Sequence, residues 1–255
     1  MTRHLHAKRL AAEWICFAGV IAAWWLLSRD SANPFFPPLQ SMLADAHDYW
    51  TSSRGLGDAR ATLANIAAGF FIGVFAGVTG GIALGRINAL YIWALPGIEL
   101  LRSIPGVILL PITISFLGIG DQMKILNIAL GTMWPILVTT MDGYRGIPEQ
   151  WLQTARVYGL GEAAIQRQVV LPALVPHVLT GIQVAIPLSL IVGVTSEMVG
   201  ATVGIGSVIL NAQYTFDVSR MWSGVILLAV LGYLLNSGFS ALRAVILKKL
   251  GVSES

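Results

Sequence analysis

Residues 148–172 read PEQWLQTARVYGLGEAAIQRQVVLP, a polar stretch between two long apolar runs at 123–141 and 178–199. In a chain with a mean hydropathy of +0.72, it is too long and too polar for a plain turn. Its charges are Glu149, Arg156, Glu162 and Arg167, with Trp151, Leu152, Ala155, Val157, Ile165 and Val169 between them. That spacing predicts two short amphipathic helices broken at Gly159–Leu160–Gly161, because paired glycines punctuate helices. Pro148 suits the first turn of one helix, and Pro172 is expected to stop the other. A structured hairpin midway along a membrane chain is a contact offered to a partner.

The membrane assignment rests on composition. The 255 residues are 55% hydrophobic and 11% charged, whereas a soluble domain carries about 25% charged residues. The apolar surface therefore faces lipid or other apolar helices. One cysteine, Cys16, excludes an internal disulfide framework and a Cys-based metal site. It lies in an apolar run and is expected to be a small buried hydrophobe. The net charge of +3 comes without a basic patch of interleaved aromatics, so nucleic acid is not an expected partner. No G-x-x-x-x-G-K-[ST] or H-E-x-x-H occurs, and His4, His6, His47 and His177 are scattered. The chain is therefore read as a non-enzyme with no cofactor or metal of its own.

A spanning helix needs about 20 apolar residues. Six candidate spans follow, at 11–28, 62–85, 104–118, 123–141, 177–199 and 222–246, so the expected fold is an all-α membrane protein. The first is read as a retained span and not a cleaved signal, because no small-x-small site closes it. With a cytosolic N-terminus, Arg3, Lys8, Arg9, Arg86, Arg145, Arg156, Arg167, Arg243, Lys248 and Lys249 fall inside. Arg29, Arg54, Arg60, Lys124 and Arg220 fall outside and Arg102 on neither side clearly, and the bias favours both termini in the cytosol. The 148–172 hairpin is then cytosolic. The chain divides into an N-terminal helix with an external segment at 1–60, of which 39–50 is an amphipathic helix on the membrane surface or a packed connector. A single membrane-spanning core follows at 61–248, so that 1–255 form one transmembrane domain.

Within that core, Gly69, Gly73, Gly77, Gly81 and Gly85 recur every four residues. Small residues at this interval let membrane helices approach closely, either as static packing or as a face that slides. Pro96, Pro105 and Pro111 predict a broken third span. Glu99 and Arg102, at i and i+3, are placed to pair at the interface. Asn236, deep in the last span, is expected to hydrogen-bond a neighbouring helix. Residues 200–220 are read as an external polar loop, and Glu197 at its edge as solvated or hydrogen-bonded to the loop, with a gate or a docking contact as its functional alternative.

The hairpin spacing resembles the EAA loop of ABC-importer permeases: Glu-Ala-Ala, three residues, Gly, nine residues, Ile, one residue, Leu-Pro. The matching positions are Gln153, Thr154, Ala155, then Gly159, then Val169, Leu171 and Pro172. The spacing is fully kept, with Gln for Glu, Thr for Ala and Val for Ile. Phe36-Pro37-Pro38, Leu101 to Pro105, Leu117 to Asp121, Ser196-Glu197-Met198 and Gly204-Ile205-Gly206 extend the likeness over roughly 35–250. They are similar to the nitrate/sulfonate/taurine branch.

This resemblance implies a type I importer permease in a prokaryotic inner membrane. It implies a second permease subunit (a homodimer), a cytosolic ABC ATPase dimer carrying ATP and Mg, and an extracytoplasmic binding protein delivering a small anionic or organic solute by alternating access. Gln153, Thr154, Ala155, Arg156, Tyr158, Gly159, Leu160, Leu171 and Pro172 are the expected ATPase-coupling residues. Thr113, Ser115, Asn127, Thr132, Ser189, Thr195 and Glu197 are candidates for the translocation path. The competing reading is an ion-gradient-driven secondary transporter with no ATPase.

Overall fold

The computed structural model describes residues 15–251, apart from 17, 30, 32 and 34. The described chain is helical throughout. It runs α1 (Ala18–Ser28), α2 (Leu39–Trp50), α3 (Ser53–Arg86) and α4 (Asn88–Arg102), then a 3-10 turn (Gly106–Leu109) into α5 (Leu110–Leu117). It continues through α6 (Asp121–Arg145), α7 (Glu149–Val157), α8 (Glu162–Ile165), α9 (Leu171–Met198), α10 (Ile205–Tyr214) and α11 (Val218–Lys249).

Four described helices are long and apolar enough to cross a membrane, or five if the bent α4–α5 pair is one span. The predicted first span begins outside the described residues, and its described part is the short apolar α1. Cys16 is exposed and not buried as expected, because apolar side chains of a spanning segment can face lipid.

The core is a three-helix stack in which α6 lies between α3 and α9. All five stripe glycines are buried on α3. Each faces a side chain of α6, in the order Ile128, Thr132, Ile136, Thr140 and Tyr144. The offset is the same at all five positions, so the two helices run parallel. A Cβ built at Gly69, Gly77 or Gly81 would lie 2.6, 2.8 or 2.6 Å from the Cβ of its partner. Helices this close have no room for even one methyl group, and the toothed fit favours fixed packing over a sliding face. Antiparallel α9 uses the same device, with Gly143 of α6 under the His177 ring and Gly193 of α9 against Ile66.

The third span is broken as the prolines required. α4 and Gly106–Leu117 meet at 89° across Pro105. Glu99 and Arg102 do not pair, however. Both are exposed, so no burial cost forces them together. The start of α4 is instead fixed by Arg145, whose guanidinium lies 3.8 Å from the Tyr91 ring centre and donates to Asn88 Oδ1 at 3.2 Å.

Three further expectations need correction. Pro172 does not stop a helix: Glu162–Met198 is continuous. Residues Gln166–Val170 take π-helical pairing, with Leu171 N–H donating to Gln166 O. This wider turn absorbs the carbonyl that a proline ring would otherwise strike, so Pro172 falls in the first turn of α9. The external loop at 200–220 is largely α10. Asn236 is exposed and makes no hydrogen bond among the described residues, because α11 turns that face away from the stack. Of the two readings offered for 39–50, α2 fits the packed connector, with Leu39, Met42 and Trp50 buried.

Candidate functional site

At one end of the stack stands the hairpin. α7 closes with Gly159 N–H donating to Arg156 O at 2.9 Å and Leu160 N–H donating to Ala155 O at 3.1 Å. These are the two bonds of a Schellman motif, and the Gly159 φ of +78° supplies its left-handed residue. Ala155 is buried, and Leu160 packs with it against Ile165, Val170 and Leu174. Arg156 Nε reaches Glu162 Oε1 at 3.1 Å across the turn, an exposed pair contributing about 0–1 kcal/mol. Gln153, in the position of the family Glu, donates to Glu149 Oε1 at 3.2 Å. Tyr144, seated on Gly85, holds the root of the hairpin by accepting from Gln166 Nε2 at 3.1 Å.

The turn is thus rigid from within, yet its tip is uncovered. Val157 is 87% and Tyr158 81% exposed, and Trp151 and Leu171 are half exposed. Thr154, Gly159 and Pro172 also face outward. Of the nine coupling candidates, Ala155 is buried and Leu160 half-buried as supports. The other seven lie on the surface.

At the opposite end, three buried side chains hold the first turn of α10. Asp58 Oδ1 accepts from Gly204 N–H at 2.9 Å, Thr62 Oγ1 from Ile205 N–H at 2.8 Å, and Glu197 Oε2 from Gly206 N–H at 2.9 Å. The Thr62 hydroxyl donates to Glu197 Oε2 at 2.9 Å, and Tyr49 donates to Asp58 Oδ2 at 2.8 Å. Glu197 is 1% exposed. It is a strut between α3, α9 and α10, matching the hydrogen-bonded alternative of its sequence reading. Beside it, buried Lys124 and Asn65 converge on Asp121 Oδ1 at 2.9 and 3.0 Å.

The sequence reading missed Asp58 and Thr62. Only their four-residue spacing, one turn before Asn65 and the glycine stripe, could have drawn attention to them. Burial, and then the Asp58 carboxylate, push the Tyr49 phenol above its usual value. A raised folded pKa favours the neutral phenol. That contribution is complete below the unfolded value near ~10 and is lost as pH rises through the folded one. Spectrophotometric titration of tyrosine should therefore show a late-ionising group that disappears in Tyr49→Phe.

The remaining path candidates are dispersed. Asn127 donates to Thr113 Oγ1 at 2.6 Å, both buried between α5 and α6. Thr132 fills the gap over Gly73, and Ser189 bonds Ile186 O at 2.6 Å within its own helix. Ser115 and Thr195 likewise bond their own helices, to Pro111 O and Ile191 O at 2.8 and 2.7 Å. Among the described residues, no group of His, Cys, Asp and Glu could hold a metal.

The described residues thus form a stack of apolar helices long enough to span a membrane, with a rigid hairpin of uncovered tip at one end. Residues 69–252 match the model of the binding-protein-dependent transport system inner membrane component, and the chain belongs to that family. It is an ABC-transporter permease of the nitrate/sulfonate/taurine type and a multi-pass membrane protein.

The nitrate import permease protein NrtB of Leptolyngbya laminosa is 34% identical over 72% of this chain and 67% of its own length. The putative aliphatic sulfonates transport permease protein SsuC of Bacillus subtilis is 30% identical over 71% of this chain and 66% of its own, so the match spans just under two thirds of that relative. The taurine transport system permease protein TauC of Escherichia coli is 27% identical over 94% of this chain and 93% of its own length. Among solved structures, an inward-facing MetNI methionine ABC transporter matches with a TM-score of 0.65 at 25% identity, over 76% of this chain and 95% of that one.

Proposed function

We propose that the chain is the membrane-spanning half of an ATP-driven importer, and that residues 148–172 are the element through which a cytosolic ATPase moves it. The observation that carries this reading is the hairpin tip: Val157 and Tyr158 stand almost fully exposed on a turn locked by its own backbone bonds. A stiff projection with an apolar end suits insertion into a groove of another protein. The family description, with its reference to binding-protein-dependent transport, supports an external binding protein as the source of solute.

In this mechanism ATP binding draws two ATPase subunits together, and the paired hairpins transmit that motion to the spans. The path opens alternately to the binding protein and to the cytosol. Both termini and the hairpin are cytosolic, and two permease copies form the complex. The relatives named for nitrate, sulfonates and taurine support a small oxyanion-bearing solute. ATP and Mg belong to the ATPase.

The test is co-purification of tagged chain from its own membranes in mild detergent. Wild type is expected to bring down an ATPase, and Tyr158→Ala is expected to lose at least ten-fold of it while still extracting as a folded protein. An ATPase retained fully by Tyr158→Ala and by Gly159→Val would overturn the assignment of the hairpin.

A further inference from the structure

The span made by α4 and α5 is broken at the depth of the membrane interior. Gly106, just past the elbow, sits against both of the inner core helices. A Cβ there would lie 3.7 Å from Gly131 Cα on α6 and 3.6 Å from Val192 Cγ2 on α9. Gly131 is near the middle of α6, which runs Asp121–Arg145. On the near side of the elbow, Ile98 packs in one cluster with Leu137 and Met141 of the same helix. Residues 99–105 therefore lie between the level of that cluster and the level of Gly131, inside the hydrocarbon of a bilayer about 30 Å thick.

The described chain leaves this elbow uncovered. Ile98 is the one buried residue of α4, and Arg102, Ser103 and Pro105 are exposed. Ile92, Pro96, Glu99 and Ser103 recur at helical spacing as one exposed face, with Arg102 at its edge. Irregular backbone at this depth occurs only where protein or a water-filled cavity covers it, not against lipid. Charged side chains there obey the same rule and pair with one another. Glu99 and Arg102 form no ion pair within the chain. Exposure costs such groups nothing in water, but the surroundings at this level are hydrocarbon, so the face belongs to a contact.

Opposite charges three residues apart on one helix are self-complementary under a two-fold axis. A second copy brings its own arginine to Glu99 and its own glutamate to Arg102, because residue pairs repeat reciprocally across such an interface. We propose that this face of α4 is where two copies of the chain meet, closed by two reciprocal Glu99–Arg102 ion pairs within the membrane. That two copies assemble rests on the functional reading above; the face and the ion pairs go beyond it. Gly97, on the other side of α4 with open space around it, stays outside the contact.

The test uses the full chain carrying either of two affinity tags, co-expressed in pairs and extracted in mild detergent. One tag is pulled down and the other is measured. Two wild-type copies are expected to bring each other down. Glu99→Arg in both copies sets arginine against arginine, and Arg102→Glu in both sets glutamate against glutamate. Each should lower recovery about ten-fold or more, since like charges juxtaposed across an interface are costly. Glu99→Arg in one copy with Arg102→Glu in the other restores both pairs across the contact, although neither chain then carries opposite charges of its own. This mixed pair should regain most of the wild-type recovery, and a variant that accumulates poorly by itself should accumulate again beside the other. Recovery indifferent to the single variants, the result if water in the path solvates both charges, overturns the proposal. So does a mixed pair no better than either variant paired with itself. Wild-type copies that do not bring each other down overturn the two-copy reading itself.

Discussion

Gly73→Leu and Gly77→Leu are each expected to leave little folded protein in the membrane. Each new side chain would enter a space already filled by Thr132 or Ile136, with the backbone carbonyl of Ala129 or Met133 beside it. A side-chain rotation cannot relieve a clash with a carbonyl, so α3 and α6 must separate. Overpacking of this kind costs on the order of 3 kcal/mol per site, against a total stability of about 5–15 kcal/mol. The yield of monodisperse protein after extraction, and its resistance to heating in detergent, measure the loss. Gly97→Leu, at a position with open space around it, should change neither. Gly73 and Gly77 variants as heat-resistant as wild type would show that the seam is not as tight as described.

Glu197→Ala is expected to be nearly as damaging, by a different route. Its carboxylate accepts from the Gly206 N–H and the Thr62 hydroxyl in a buried setting, so truncation leaves the Gly206 N–H without an acceptor and the Thr62 hydroxyl with only the longer bond to Asp58 O at 3.2 Å. Breaking such a buried network costs about 3–5 kcal/mol. The loss should appear locally, as faster amide hydrogen exchange across Gly204 to Ser207, before it appears in global unfolding. Glu197→Gln keeps one acceptor oxygen and should recover much of the protection. Equal exchange in wild type and Glu197→Ala would remove Glu197 from its role as a strut.

Patterns with one physical cause were legible in the sequence. Apolar runs can exist only as spans, a proline-dense segment cannot stay straight, and a glycine every fourth residue must meet something closely. The hairpin turn was legible too, since Gly159 occupies the position a left-handed cap demands. Features settled by two distant segments at once were not legible. Pro172 reads as a stop unless the π turn before it is known, and that turn is held from α6 by Tyr144. Asp58 and Thr62 look like ordinary surface polars of a helix start until α10 folds back over them. Asn236 invited a partner within the chain, but its face of α11 turns outward.

The constant offset between α3 and α6 has a mechanical consequence. Teeth four residues apart give a pitch of about 6 Å along the axis, and any smaller displacement drives side chains into the opposing backbone. The pair therefore behaves as a single beam, stiff to shear. Through Tyr144 and Gln166 that beam is bolted to the base of the hairpin. In the function proposed above, a push at the tip is expected to reach the far end of the molecule undiminished, leaving the 89° elbow between α4 and α5 as the place to bend.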